Sequence, residues 1–97
     1  VMPEFIGGTA ALMKYLSSNI KYPTISQETG SQGKVIVQFV VDKDGTISNP
    51  EVVRGVDPYL DKEAIRVISS MPKWTPGVQN GKKVRVKFTV PVSFRLQ

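Results

Sequence analysis

The residues best equipped for chemistry in this sequence are five basic side chains near its C-terminal end: Lys82, Lys83, Arg85, Lys87 and Arg95. Residues 82–97 contain no acidic side chain, whereas residues 1–81 hold eight basic and eight acidic ones, so this stretch carries the whole net charge of +5. Such a local charge attracts anionic partners, including acidic peptides. It also repels other copies of the same chain, which is a common protection of exposed strand edges.

The same residues belong to the most regular pattern of the chain. Within residues 84–97, every even position is apolar and every odd position is polar or proline. The apolar residues are Val84, Val86, Phe88, Val90, Val92, Phe94 and Leu96. This alternation predicts one long strand with one face on a core and the other in water. A nucleic-acid surface needs aromatic rings among the exposed basic residues, but Phe88 and Phe94 are in phase with the core. The pattern therefore disfavours nucleic-acid binding.

The composition excludes several classes of protein. The 97 residues contain neither cysteine nor histidine, so disulfide frameworks, thiolate nucleophiles, zinc fingers and Ser-His-Asp mechanisms are ruled out. With 40% apolar and 22% charged residues, the chain has the composition of an ordinary folded domain. Its length predicts one domain, and no apolar run is long enough for a membrane span or a signal peptide.

Three further motifs have simpler structural interpretations. Asp42–Gly45 resembles the opening of a calcium loop, but no glutamate follows at the required spacing, so we interpret it as a hairpin turn. Gly7-Gly8 lacks the lysine and hydroxyl partners of a phosphate loop. Trp74 is expected to fill the core rather than to form a ligand platform. We therefore expect no catalytic residue, metal or cofactor.

Two helices are predicted from apolar stripes. The first stripe predicts a helix with Thr9 as its N-cap that ends before Tyr22-Pro23, and it comprises Leu12, Tyr15, Leu16 and Ile20. Asp57-Pro58 predicts the start of the second helix, because aspartate caps helices and proline suits their first turn. Its stripe comprises Leu60, Ala64, Val67, Ile68 and Met71, and Pro72 ends it. Ser26–Gly33 is polar and rich in glycine, which indicates a surface loop.

Two more strands precede the second helix. Val35, Val37, Phe39 and Val41 lie on one face of the first, and Ile36 and Val40 add apolar surface to its other face, as is typical of a central strand. The return strand, from about Thr46 to Arg54, contains Pro50. Proline is confined to edges or bulges, so this strand is expected to be an irregular outer one.

The chain order α-β-β-α-β predicts a two-layer α+β fold: a three-stranded antiparallel sheet of order second-first-third with two helices on one face. Placing the third strand beside the second instead would give a mixed sheet. In the preferred order the last strand lies at an edge, which Pro91 tolerates only if its missing N–H points away from the sheet. A long free edge can accept another extended chain.

The sequence resembles the C-terminal domain family of TonB, the energy transducer of Gram-negative bacteria, from about Ala11 to Leu96. The resemblance rests on the order and spacing of several pieces: Tyr22-Pro23, Gly33 before the first strand, Asp44-Gly45, Asn49–Val53, Leu60–Ala64, Met71–Gly77 and the last strand to Phe94.

The resemblance implies a function. It implies a single periplasmic domain over residues 1–97, part of a longer inner-membrane-anchored protein whose N-terminal part works with an ExbB–ExbD motor. The domain would bind the Ton box of outer-membrane TonB-dependent receptors by adding it as a strand, without enzymatic activity. The matching residues are Val84, Arg85, Val86, Lys87, Phe88, Thr89, Val90, Pro91 and Val92. Asn19, Tyr22 and Pro23 match a family region that contacts the receptor.

Other interpretations stay open at this level. The same fold serves as the extracytoplasmic interaction or sensor tail of other membrane proteins, such as a signalling peptidase, and the residues upstream of Val1 would separate the two. A basic nucleic-acid-binding module is the alternative from another class. The exposed edge also allows a homodimer to form by strand exchange.

Overall fold

A computed structural model describes residues 1–96 as an antiparallel sheet with helices on one face. The elements are α1 (Gly8–Asn19), α2 (Thr24–Glu28), β1 (Gly33–Val41), β2 (Ile47–Arg54), α3 (Pro58–Ser69), β3 (Gly77–Gln79), β4 (Lys82–Val84) and β5 (Val86–Phe94). The main sheet has the order β2-β1-β5 and is antiparallel throughout. The predicted fold class and strand order are confirmed.

The core lies between this sheet and the two long helices. Along β1, every second residue from Val35 to Val41 is fully buried, and Val90, Val92 and Phe94 extend this surface on β5. The predicted helical stripes pack against it: Leu12 and Leu16 on α1, and Leu60, Ala64, Val67 and Ile68 on α3. Trp74 is 3% exposed and packs with Phe39 and Phe88, so its predicted role in the core is confirmed.

Helix α3 begins as its sequence predicts. The Asp57 carboxylate accepts a 2.7 Å hydrogen bond from the Leu60 N–H and another from the hydroxyl of the buried Ser26. The bond from Leu60 lowers the pKa of Asp57 below its ordinary 3.8, and the hydroxyls of Ser31 and Ser26 add to this effect against partial burial. The charged form of Asp57 thus ties α2 to the start of α3.

Two local predictions about the first third of the chain are wrong. The N-cap of α1 is Gly7 rather than Thr9, because the chain folds back through Gly7 and Gly8 at positive φ and the Gly8 N–H donates to the Phe5 carbonyl. The predicted loop Ser26–Gly33 begins inside helix α2. A five-residue helix leaves no apolar stripe to detect, and its buried Ser26 is held by a tertiary contact with Asp57.

The last strand also differs from its prediction, because it is divided at Arg85 and ends at Phe94. β5 pairs with β1, whereas β4 forms a hairpin with β3 through a two-residue turn at Asn80-Gly81, both at positive φ. Burial alternates evenly across the division, and such a pattern cannot reveal that the neighbouring strand changes.

An N-terminal arm completes this hairpin. Val1 and Glu4 pair in antiparallel fashion with Val78 and Thr75, through bonds such as Thr75 N–H to the Glu4 carbonyl at 2.8 Å. Phe5 follows and packs its ring against Tyr15 and Trp74. Within residues 1–96, no helix has the length and hydropathy needed to cross a membrane.

Candidate partner-binding edge

β5 is a regular strand at the edge of the main sheet, with one side that no other strand of the described residues occupies. Nine consecutive residue pairs join β5 to β1, from Gly33–Phe94 to Val41–Val86, without a register shift. On its other side, no strand of the described residues pairs with β5. One row of main-chain N–H and C=O groups is therefore open to a further strand.

The position of Pro91 identifies which residues form that row. In an antiparallel ladder, hydrogen-bonded pairs alternate with pairs that are not hydrogen-bonded. The ladder continues through Ile36–Pro91, and proline has no N–H, so this pair belongs to the second kind. The main-chain N–H and C=O groups of the even-numbered residues therefore point toward β1. The Leu96 N–H agrees with this assignment, because it donates to the Gln32 side chain on that side. The outward groups belong to Lys87, Thr89, Pro91 and Ser93.

The open row continues into β4. The residues that flank the two-residue turn, Gln79 and Lys82, form a hydrogen-bonded pair. The main-chain groups of the even-numbered residues of β4 therefore point toward β3. In β5 the main-chain groups of the even-numbered residues point toward β1, and the alternation of side-chain burial continues through Arg85. Residues 82–94 therefore form one ribbon, which pairs with β3 beyond the point where its pairing with β1 ends at Val41. The other side of β4 continues the free edge of β5.

The side chains along this edge are divided as the sequence predicts. Phe94, Val92 and Val90 enter the core, whereas the odd-numbered side chains from Lys83 to Ser93 are exposed. Arg85 donates from Nε to the Asp42 carboxylate at 2.8 Å and is 58% exposed. Among the described residues, the other four C-terminal basic side chains form no ion pair. The edge therefore presents net positive charge.

Helix α1 borders the C-terminal end of the β5 edge, a contact that the sequence pattern did not predict. Met13, Ser17 and Ile20 line a cavity of about 70 Å³ together with residues 91–93 of β5. Met13 is 40% exposed. The signal was present, since positions 13, 17 and 20 follow i, i+4, i+7 and lie along one side of a helix.

The three predicted secondary contact residues lie near the C-terminal end of β5, on the end of α1 and the segment that leads into α2. Tyr22 packs its ring edge-on against Phe94 at 5.6 Å, and its hydroxyl donates to the Ser31 carbonyl. Pro23 is the N-cap residue of α2. Asn19 ends α1 and is exposed, and its amide donates to the Tyr15 carbonyl. The structure thus joins Tyr22 to the end of β5 and leaves Asn19 on the helix layer.

A small ion-pair cluster holds this segment against α3. Arg66 donates twice to the Glu63 carboxylate at 2.7 Å and also to the Asn19 carbonyl, while the Lys21 N–H donates to Glu63. Partial burial acts to raise the pKa of Glu63, but the hydrogen bonds and charges of Arg66 and Lys21 outweigh it and lower that pKa. Within residues 1–96, no three acidic side chains converge as a metal site would require.

Comparisons with known proteins identify one family. The family model described as the Gram-negative bacterial TonB protein C-terminal domain matches residues 18–96. Protein TonB of Haemophilus influenzae is 33% identical over 91 residues, which is 90% of this chain and 34% of the relative. Protein TonB of Helicobacter pylori is 26% identical and covers 84% of this chain and 28% of the relative. The chain thus spans about a third of the length of these relatives.

Solved structures show the same fold. A solution structure of the Helicobacter pylori TonB C-terminal domain aligns with a TM-score of 0.67 at 24% identity, covering 88% of this chain and 89% of the other. A second solution structure of that domain aligns with a TM-score of 0.58 at 25% identity, covering 87% and 78%.

Proposed function

The chain belongs to the family of Gram-negative bacterial TonB C-terminal domains, and from this premise we propose that it is the receptor-binding domain of a TonB-type energy transducer. Its partner is the Ton box of outer-membrane TonB-dependent receptors, which adds as a strand to the free edge of β5. The domain is a binding module without enzymatic activity.

The observation that carries this proposal is the free edge of β5, a strand that pairs with β1 over nine residues without a register shift. Strand addition takes its affinity from main-chain hydrogen bonds, which are similar for any extended peptide. One edge can therefore serve receptors with different Ton boxes. The exposed lysine and arginine side chains beside the edge favour peptides that contain acidic residues.

The rest of the transducer follows from the family as part of the same proposal. The domain works in the periplasm as the C-terminal part of a longer protein anchored in the inner membrane, and the N-terminal part of that protein engages ExbB–ExbD. Energy derived from the proton-motive force then reaches a receptor through the bound Ton box and supports nutrient uptake.

Peptide titration followed by backbone NMR tests the proposal. Synthetic Ton-box peptides are added to the isotope-labelled domain, and the largest amide shifts are expected at Lys87, Thr89 and their neighbours in β4 and β5. The control is the same peptide with proline at alternate positions, which cannot form a ladder and should leave these amides unchanged. Shifts confined to α1 and α3 that spare residues 84–94 would contradict the proposal.

A further inference from the structure

The free edge of β5 is not uniform along its length. Four residues turn their main-chain groups outward, and three of them, Lys87, Thr89 and Ser93, offer both an N–H and a C=O. The fourth, Pro91, offers only its C=O and is exposed. A single gap therefore separates Ser93 from the continuous run of donors that ends at Thr89.

Proline at this place opposes an added strand in two ways. The partner carbonyl that would accept from position 91 finds no donor, and a polar group that loses water without gaining a hydrogen bond weakens binding. The ring carbon bonded to the proline nitrogen also occupies the place of the missing hydrogen and projects toward the incoming backbone. Both effects act on the free side only, because the ladder to β1 is continuous through Ile36–Pro91.

The two halves also differ in charge. Ahead of the gap, the exposed side chains of Lys83, Arg85 and Lys87 alternate along the ribbon, and only Arg85 has an acidic neighbour at bonding distance among the described residues. Directly opposed side chains in a sheet lie about 5 Å apart, close enough for ion pairs. The half between Lys83 and Thr89 thus suits acidic side chains at alternate positions of the partner.

We infer that Pro91 is the stop that sets the register of the added strand. A short extended segment with alternate acidic residues pairs along the ribbon up to Thr89 and leaves the edge at Pro91, without pairing to Ser93. This inference rests on the proposed function, because it specifies where on the same edge the Ton box pairs.

Amide hydrogen exchange in the presence of a saturating Ton-box peptide tests the inference. In the native chain, the peptide is expected to slow exchange at the Lys87 and Thr89 amides and to leave Ser93 unchanged. In Pro91→Val, protection should extend to position 91 and Ser93, and the peptide should bind more tightly by about fivefold for each added ladder bond.

The matched control is Ser93→Val, which adds the same β-branched side chain to the same exposed face without restoring an N–H at position 91. Its protection pattern should equal that of the native chain. Sedimentation at the working concentration verifies that each variant is compared as a monomer.

The outcomes separate the two proposals. Ser93 protection equal to that of Thr89 in the native chain, or no extension in a folded Pro91→Val, would overturn the stop while leaving strand addition intact. A peptide that protects no edge amide in either chain would overturn both. If Pro91→Val does not fold, the native pattern alone decides.

Discussion

The two outer strands of the main sheet protect their exposed edges by different means. β2 pairs with β1 through two register shifts, contains Pro50, and holds Asn49 at a φ of 50°. β5 pairs with the same central strand over nine residues without an irregularity and carries exposed basic side chains instead. Both devices are known to prevent edge-to-edge association of sheets.

The difference matters because only one of these protections can be reversed by a partner. A bulged edge stays unsuited to pairing whatever approaches it, since its backbone groups no longer form an even row. A charged edge keeps its row intact and excludes neighbours only until an oppositely charged strand arrives. Geometry closes the β2 edge, whereas the proposed function requires that charge makes the β5 edge selective.

The largest expected effect comes from closing the β5 edge with a second proline. Thr89→Pro removes an outward N–H in the middle of the open row, so Ton-box peptide affinity should fall at least about tenfold in calorimetric titration. The fold should persist, because Thr89 has the same parity as the native Pro91. Thr89→Val keeps the N–H and is the matched control. Equal affinities for the two variants would remove β5 from the binding site.

The backbone distortion of β2 is tested at Asn49. Valine tolerates a positive φ poorly, so Asn49→Val should lower the free energy of unfolding by about 1 to 2 kcal/mol in urea titrations. Asn49→Gly should be close to neutral, because glycine accepts this conformation. Peptide affinity should be the same in both variants. An altered affinity would show that the two edges are coupled.

Helix α3 starts directly after β2, and its cap gives a pH-dependent test on that side of the molecule. Asp57→Ala should cost about 1 kcal/mol at neutral pH in urea unfolding. The pKa of Asp57 is lowered in the folded state, so its charged contribution is complete above the ordinary value of 3.8 and is lost as pH falls through the lower folded value. The stability gap between native chain and variant should therefore shrink in acid.

Asp57→Asn separates the cap from its charge. Asparagine caps helices about as well as aspartate, so this variant should stay near native stability at neutral pH and lack the acid-dependent change of Asp57. A stability gap between native and alanine proteins that is constant from pH 7 to below 3 would show that Asp57 does not act through its carboxylate.

The smallest expected effect concerns the charge on the β5 edge. Lys87→Glu should weaken binding of an acidic Ton-box peptide about threefold at low salt and much less at high salt, because exposed charges are screened. Lys62→Glu makes the same charge change at an exposed position on α3 and should have little effect. A loss that is independent of salt would argue against electrostatic selection.

The sequence predicted the elements that have a repeated pattern or a specific cap. The alternation of β1 and β5 and the Asp57-Pro58 start of α3 were each sufficient, because burial and capping act locally on these residues. Pro50 correctly marked β2 as outer and irregular. The strand order followed from the two apolar faces of β1.

The remaining features depend on contacts that leave no periodic signal. Helix α2 is too short to show an apolar stripe. The turn from Phe5 to Gly8 starts α1 earlier than the predicted Thr9 cap. The N-terminal arm pairs with residues more than seventy positions away in the sequence. The candidate edge from Val84 to Val92 was predicted as a strand, but the boundary at Arg85 was hidden because alternation does not depend on the neighbouring strand. Its binding role stays a prediction, as do those of Asn19, Tyr22 and Pro23.

The N-terminal arm gives the molecule a direction-dependent mechanical strength. The ribbon of residues 82–94 extends roughly 40 Å at about 3.3 Å per residue, so it runs along the longest dimension of the molecule, 50 Å. The arm pairs with β3 in the small sheet through four main-chain hydrogen bonds between Val1–Glu4 and Thr75–Val78, three of them donated by amide N–H groups. A pull on Val1 along that axis loads these bonds together in shear, whereas a sideways pull breaks them one after another. The same tension on Val1 is therefore resisted when it acts along the axis and separates the arm from β3 when it acts across it.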